Sequence, residues 1–190
     1  MCYHTQALLS FSKIRNGWEL CATDSLGISV GLLSTWDPTV VHCKAFVSPY
    51  GILVRAVLRN QPLELSYLNS YGPYINRTLF SKAVVNEGSF YHANLIIAGD
   101  IKFNLLDAEI WVQNVHIDPL STYFIRLLVS TNLVDIPPTC IIPTQRNGRS
   151  SDKGISKRLD RFLVSESLVP LFSCYCSWVH HLVISDHHIL

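Results

Sequence analysis

Asn94–Ile101 (NLIIAGDI) is the stretch from which the fold of this chain is most directly inferred. It is a short apolar run that closes on Gly99 and Asp100, which is typical of a buried strand reaching the rim of a sheet. Similar runs, rich in Val, Ile, Leu or Tyr and bounded by Gly, Pro, Asn or Ser, recur along the chain. They are Gly51–Leu58, Leu63–Ser70, Leu159–Val164 and Leu182–Ile184.

Helical patterns alternate with these strands. Asp118 is predicted as the N-cap of one helix and Pro119 as its first residue. The side chains expected on one face of that helix are Leu120, Phe124, Leu127 and Leu128. A second helix is predicted from Arg77 to Val85, ending near Gly88. Strands that alternate with helices indicate a mixed α/β domain.

Composition limits the classes of protein to which the chain can belong. Of the 190 residues, 48% are hydrophobic and 15% are charged, and 15 Lys+Arg against 14 Asp+Glu give a net charge of +1. These values exclude a disordered tail, a coiled coil and a highly basic nucleic-acid arm. No apolar run approaches the roughly 18 residues of a membrane-spanning helix. Met1 to Ser12 lacks the features of a signal peptide, so we expect an intracellular protein, nuclear or cytoplasmic, with no membrane contact and with reduced cysteines.

The loop from Gln145 to Asp160 is rich in positive charge. Its candidates for binding nucleic-acid phosphates are Arg146, Arg149, Lys153 and Lys157. Arg158 adds a fifth basic residue, and Arg161 follows directly. Cationic side chains on an otherwise neutral domain can hold phosphates. The alternative is an ordinary solvated surface loop.

Acidic residues follow two of the predicted strands. Asp100 ends the strand quoted above, and Ser185-Asp186-His187 follows Leu182–Ile184 in the same way. Ligands of α/β folds bind at the carboxyl ends of strands, although an Asp there can also simply form a turn. Carboxylates hold hard cations such as Mg²⁺, and His can transfer protons, so this pattern suits metal-assisted hydrolysis of a phosphodiester.

Five segments, taken in order, resemble the endonuclease/exonuclease/phosphatase superfamily, and in particular the endonuclease domain of plant non-LTR (LINE-type) retrotransposons. The segments are Gly27–Leu33 (GISVGLL) with Trp36-Asp37-Pro38, Leu68–Tyr74 (LNSYGPY), Asn94–Asp100 (NLIIAGD), Lys157–Ser165 (KRLDRFLVS) and Ser185-Asp186-His187. The resemblance covers 27–190 and leaves 1–26 as a divergent N-terminal segment.

The resemblance implies a two-sheet α/β sandwich flanked by helices (DNase I-like), with a Mg²⁺-dependent phosphodiesterase site that acts on DNA. Asp100 would position or deprotonate the attacking water, and His187 would contact the scissile phosphate. Asp160 would orient the His187 ring, Asp186 would lie near the metal, and Tyr71 would donate a hydrogen bond to the phosphate.

Departures from the family pattern predict an impaired, N-terminally truncated copy. The W-N-x-R-G segment and the Q-E-T segment, whose Glu is the main metal ligand, are both absent. Glu19 and Asp24 are the acids that precede Gly27, and neither is assigned as a ligand. The G-D-x-N motif has Lys102 in place of its Asn, which puts a cation near the metal position. A chain without its first strands is also expected to expose a hydrophobic sheet edge.

Three hypotheses therefore remain open at this point. The first is a Mg²⁺-dependent DNA endonuclease or related phosphodiesterase. The second is a non-catalytic remnant that is inert or binds nucleic acid weakly through the basic loop. The third is a transition-metal site. Its candidate ligands are Cys174, Cys176, His180, His181, His187 and His188. The alternative to it is that these histidines simply lie on a strand near the protein surface.

Overall fold

The computed structural model describes residues 16–23, 31–86, 94–112, 116–147, 154–171 and 177. Strands and helices are numbered here in chain order. The strands are β1 (Glu19–Ala22), β2 (Leu33–Trp36), β3 (Val41–Ser48), β4 (Gly51–Leu58), β5 (Glu64–Ser70), β6 (Leu95–Asp100), β7 (Ile110–Trp111), β8 (Leu133–Asp135), β9 (Gln145–Arg146), β10 (Ser156–Lys157) and β11 (Asp160–Ser165). The helices are α1 (Arg77–Asn86) and α2 (Ser121–Ser130), with short 3-10 helices at Asp107–Glu109 and Glu166–Leu171.

Six of the strands form the central sheet, in the order β3-β4-β5-β6-β11-β8. Strands β5 and β6 run parallel, and the other neighbours in this sheet are antiparallel. Helix α1 lies in the chain between β5 and β6 and forms part of the crossover that a parallel pair requires. The carboxyl ends of β5 and β6 therefore meet at one edge of the sheet. Two smaller sheets, β1-β2 and β7-β10-β9, complete the strand arrangement of the described residues.

The hydrophobic core lies between the middle strands of the central sheet and helix α2. Leu68, Ile97 and Leu163, from β5, β6 and β11, belong to one buried cluster with Phe124 of α2. Phe103, which follows β6, stacks on Phe124 with 4.1 Å between the ring centroids. This packing holds the segment after Asp100 against the helix.

The predicted elements correspond closely to those observed. The strand predicted at Gly51–Leu58 is β4. The runs predicted to begin at Leu63, Asn94 and Leu159 are β5, β6 and β11, in that order. The bounds of each differ from the prediction by one residue at one end or both. The helix predicted from Arg77 is α1. The predicted strand Leu182–Ile184 and the boundary predicted between residues 26 and 27 lie outside the described residues. The predicted α/β fold class is confirmed.

The predicted start of the helix after Asp118 was wrong. Helix α2 begins at Ser121, three residues after the predicted cap, Asp118. The Asp118 carboxylate instead accepts a hydrogen bond from the Leu120 amide (3.0 Å) and two from the Arg77 guanidinium. Its carbonyl oxygen accepts from the Ser121 amide (2.9 Å). Asp118 therefore shapes the turn that leads into the helix, because its side chain is bound to Arg77.

Three further observations concern the sheet edge, the cysteines and the helix lengths. Among the described residues β3 is an edge strand of the central sheet, with Phe46 and Val47 exposed on it. Cys21, Cys43 and Cys140 are free thiols. In the part of the chain that is described, every helix is too short or too polar to span a bilayer.

Candidate active site

The parallel strands β5 and β6 bring Tyr71 and Asp100 to the same end of the sheet. Gly99 allows this close approach, because its φ of +133° suits glycine and an added Cβ would lie 2.1 Å from the carbonyl oxygen of Ser70. Just beyond this contact, the Gly72 amide donates to the Asp100 carbonyl oxygen at 2.7 Å. The backbone therefore fixes Tyr71 beside Asp100, and the roles predicted for the two side chains stay predictions.

Lys102 binds the carboxylate of Asp100. Both side chains are buried, and the Lys102 ammonium forms an ion pair with Oδ2 of Asp100. The backbone of Lys102 has a φ of 59°, a left-handed conformation that costs roughly 1–2 kcal/mol for a residue with a Cβ. Such a conformation persists where the surrounding structure compensates for it, and here the ion pair does so.

Two tyrosines enclose the same ammonium. The Lys102 Nζ lies 4.8 Å from the ring centroid of Tyr71 and 4.3 Å from that of Tyr74. It also lies 3.1 Å from the Tyr74 hydroxyl oxygen, to which it donates. Burial alone would lower the pKa of Lys102, but the hydrogen bond and charge of Asp100, with the contact to Tyr74, outweigh it and raise that pKa. Lys102 is therefore a cation at neutral pH.

Asp160 faces Asp100 across two antiparallel strands. The two residues are register partners in β11 and β6, so their side chains lie on the same face of the sheet. The Thr144 hydroxyl oxygen accepts hydrogen bonds from the amides of Asp160 (3.0 Å) and Leu159 (2.9 Å), and Thr144 is fully buried. Like charges opposite each other destabilise a sheet, and the Lys102 ammonium offsets this repulsion. The structure thus brings Asp100, Asp160 and Tyr71 together.

A cleft of about 320 Å³ opens beside Lys102. Its wall contains three basic residues, Arg77, Lys102 and Lys157. The remaining wall residues are uncharged, and they are Tyr74, Asn104, Gln145, Asn147, Ile155 and Leu159. Strand pairing sets Lys157 opposite Gln145, and the Tyr74 hydroxyl donates to Oε1 of Gln145 at 2.9 Å. Among the described residues no Asp or Glu lines this cleft, so its wall favours anions.

The basic loop is only partly as predicted. Arg146 is exposed and Lys157 is half-buried beside the cleft, whereas Arg149 and Lys153 lie outside the described residues. Counting Arg158 with the surface charges was wrong, because its side chain is 1% exposed. Arg158 donates to Glu109 (2.7 Å) and Asp135 (2.8 Å) inside the domain.

The described residues do not fit a divalent metal. Asp100, one of the two described carboxylates implied for the site, is bound to an ammonium, which repels a cation at that position. No group of three or more His, Cys, Asp or Glu side chains suited to a metal occurs within the described ranges. Asp186, His187 and the His and Cys residues of the transition-metal hypothesis lie outside those ranges, so their predicted roles stay predictions.

Four residues of this region were missed from the sequence. Tyr74 stands in the same LNSYGPY segment as Tyr71, but the motif alone does not show which ring meets the ammonium. Arg77 was placed on a helix, yet its guanidinium donates to the Lys102 carbonyl oxygen (3.0 Å). Asn104 and Thr144 are buried hydrogen-bonding residues in loops. Their amino-acid types carry no signal of that position.

Comparisons with known proteins define the class of fold. No family model matches this chain, and no curated protein matches it. Solved structures do match, and they place the chain in the fold of the endonuclease/exonuclease/phosphatase proteins, which is DNase I-like.

One of these structures is the endonuclease domain of TRAS1, a telomere-specific non-LTR retrotransposon. It superposes with a TM-score of 0.70 at 15% identity, over 92% of this chain and 78% of that one. An inositol polyphosphate 5-phosphatase domain, solved with inositol (1,4)-bisphosphate and a calcium ion, gives a TM-score of 0.53 at 15% identity, over 93% and 62% of the two chains. D. rerio TDP2, solved with a single-strand DNA product, gives 0.50 at 14% identity, over 84% and 66%. At such identities the likeness concerns the fold.

Proposed function

We propose that this chain is a phosphodiester hydrolase of the DNA endonuclease type, of retrotransposon origin, in which hydrolysis is impaired. One observation carries the proposal: Asp100 at the end of β6 faces Asp160 at the start of β11, and the ammonium of Lys102 is bound to Asp100. Paired carboxylates beside Tyr71 at a strand end support phosphodiester chemistry. The bound ammonium supports its impairment, because it withdraws Asp100 from a metal or a water molecule.

The remaining roles in this proposal come from the sequence motifs. Asp100 positions or deprotonates the attacking water, and Tyr71 donates a hydrogen bond to the phosphate. His187 contacts the phosphate, with Asp160 orienting its ring. Mg²⁺ is the cofactor that the motifs imply, with Asp186 as its proposed ligand, and the Lys102 ammonium on Asp100 opposes its binding in this chain. The solved structure with a calcium ion and the one with a DNA product support a cation and a nucleic acid as the general classes of ligand in this fold.

The test is a gain of activity in Lys102→Asn. Asn removes the ammonium, supplies an amide oxygen and accepts a left-handed backbone more readily than most residues. Supercoiled plasmid is incubated with each purified protein while Mg²⁺ and Mn²⁺ are titrated. We expect Lys102→Asn to nick at least roughly tenfold faster than the unmodified chain, and adding Asp100→Ala to abolish the gain.

A matched control separates the local effect from the change in net charge. Lys82→Asn makes the same substitution at an exposed position of α1, outside the cleft, and is expected to leave nicking unchanged. If folded Lys102→Asn nicks no faster than Lys82→Asn at any metal concentration, Lys102 is not the cause of the impairment.

A second candidate function is weak, sequence-indifferent nucleic-acid binding without catalysis. The observation that favours it is the basic wall of the cleft, together with exposed Arg146 next to it. Such binding is carried by phosphate contacts and weakens steeply with salt. We expect affinity for single-stranded DNA to fall as salt rises and to fall further when Arg149 and Lys153 are both replaced by Gln. Affinity that ignores both salt and these changes would exclude this function.

A further inference from the structure

The cleft beside Lys102 has the chemistry of an anion site that contains its own cations. Its basic residues are Arg77, Lys102 and Lys157, and the carboxylates that neutralise two of them, Asp100 and Asp118, are not part of its lining. In the pair of Arg77 and Asp118 the guanidinium is 20% exposed and lies on the cleft side. The Lys102 side chain is 0% exposed and is enclosed by Asp100, Tyr71 and Tyr74 behind the cleft wall. Both pairs are neutral overall, and their carboxylates are not part of the cleft lining.

Lys157 adds a charge that no described residue neutralises. Within the described part of the chain, Lys157 forms no salt bridge with an Asp or Glu side chain. The residue is half-buried in β10, opposite Gln145 of β9, so pairing on both sides of β10 fixes its position at the wall. A cation held in this way is a better ligand for an anion than one on a free surface loop, because less side-chain freedom is lost on binding.

The remaining lining supplies neutral polar groups and one exposed aromatic ring. The wall holds the amide side chains of Asn104, Gln145 and Asn147, and the ring of Tyr74 is 62% exposed. Cations and amides recognise phosphate oxygens, and an exposed aromatic ring beside them can stack with a base. The volume of about 320 Å³ is at the small end of the range for ligand pockets and suits one nucleotide.

We propose that this cleft binds the phosphate group of a nucleotide without a divalent metal, through Lys157 and the exposed part of the Arg77 guanidinium, while the buried ammonium of Lys102 neutralises Asp100 behind the wall. The ligand is a free nucleotide or the phosphorylated end of a single strand. The inference rests on the proposed function in assigning a phosphate ligand to this end of the sheet. It differs in that neither metal nor hydrolysis is required.

The experiment is calorimetric titration of the whole chain in EDTA. The probes are inorganic phosphate, a deoxynucleoside 5′-monophosphate and a short single strand with a 5′ phosphate. We expect the nucleotide to bind more tightly than inorganic phosphate, with no change when Mg²⁺ replaces EDTA. Equal affinity for the mononucleotide and the strand identifies the free nucleotide as sufficient, and tighter binding of the strand identifies a strand end.

Variants connect the binding to the cleft. Lys157→Gln is expected to weaken binding of every probe roughly tenfold, as expected for loss of a hydrogen bond to a charged group. Lys82→Gln, the same change outside the cleft, is expected to leave affinity unchanged. Lys102→Asn leaves the Asp100 carboxylate unneutralised behind the cleft wall, so we expect it to weaken binding in EDTA by repelling the phosphate and to recover binding when Mg²⁺ is added.

Two outcomes would overturn the inference. One is the absence of binding by the unmodified chain in EDTA, and this result needs no variant to fold. The other is binding that Lys157→Gln and Lys82→Gln weaken equally. Neither outcome bears on plasmid nicking. Nicking by Lys102→Asn, together with no phosphate binding by the unmodified chain in EDTA, would leave the proposed function standing and remove this inference alone.

Discussion

Two groups of buried charges lie in this domain, and they differ in their surroundings, because one is enclosed by the domain and the other lies beside a cleft. In the first, Arg158 and Arg161 both bind Glu109 and Asp135, and Arg161 also donates to the Phe103 carbonyl oxygen. In the second, Lys102 binds Asp100 beside an open cleft. We call the first group the arginine network and the second the lysine pair.

The difference indicates which group serves the fold and which faces a ligand. In the arginine network each cation is shared between two acids, three of the four side chains are almost fully buried, and neither arginine lines the cleft. Such a network is costly to disturb, because removing one charged partner leaves the others buried without a counter-charge. The lysine pair also stands on a left-handed backbone residue, Lys102, and residues held in that conformation cluster at functional sites. Buried charge alone therefore does not identify a site, whereas buried charge at a cleft wall does.

The largest effect is expected from breaking the arginine network. Glu109→Gln keeps the shape of the side chain but leaves Arg158 and Arg161 short of one negative charge. Loss of one member of a buried ion pair typically costs about 3–5 kcal/mol in the free energy of unfolding. Urea unfolding at pH 7 measures it. Asp107→Asn, an exposed acid in the same 3-10 helix, is the control and should change stability by no more than about 0.5 kcal/mol. Equal losses in the two variants would contradict the structural role of the network.

The second prediction concerns the pH dependence of that network. Burial alone would raise the pKa of Glu109, but the hydrogen bonds and charges of Arg161 and Arg158 outweigh it and hold the pKa below its usual value. A carboxyl whose pKa is lower in the folded state stabilises the fold fully above its unfolded pKa, about 4.3 for Glu. That contribution is lost as the pH falls through the lower, folded value.

The stability difference between the unmodified chain and Glu109→Gln should therefore narrow below about pH 4.3. Urea midpoints of both proteins at several pH values between 7 and 3 measure it. Asp118, whose pKa is also lowered, is present in both proteins and so drops out of the difference. A difference that stays constant down to pH 3 would show that Glu109 does not titrate with folding.

A smaller effect is expected from the lysine pair. Lys102→Asn relieves the left-handed backbone but leaves the buried carboxylate of Asp100 without its cation, so we expect a loss of about 1–3 kcal/mol in EDTA. Added Mg²⁺ should recover part of that stability by binding the folded state, and it should leave the unmodified chain unchanged. Thermal unfolding with and without Mg²⁺ measures both. An increase in Tm of the unmodified chain with Mg²⁺ would show that Lys102 does not exclude the metal.

The sequence was sufficient for some of the strands and helices and for part of the site. Apolar runs bounded by Gly and Asn predicted β4, β5 and β6, because burial of a strand leaves a pattern in its own residues. The motifs also placed Asp100, Asp160 and Tyr71 at one location. Lys102 was recognised as a cation near the metal position.

What the sequence did not reveal depends on contacts between distant residues. Arg158 and Arg146 are both basic residues of one loop region, yet the first is buried and the second exposed. Their difference arises from Glu109 and Asp135, which approach Arg158 only once the strands pair. The start of α2 was misplaced for the same reason, since Arg77 binds the carboxylate that would have capped the helix.

The smallest effect on stability, and the sharpest contrast with the arginine network, is expected for Lys157→Gln in the cleft wall. No described acid neutralises Lys157, so its loss should change the free energy of unfolding by no more than about 0.5 kcal/mol. The same substitution should weaken phosphate binding in EDTA roughly tenfold, because the cleft loses a cation that no other group replaces. Urea unfolding and calorimetry on one preparation compare the two quantities. A stability loss as large as that of Glu109→Gln would mean that Lys157 belongs to the fold, and the distinction between the arginine network and the cleft would then fail.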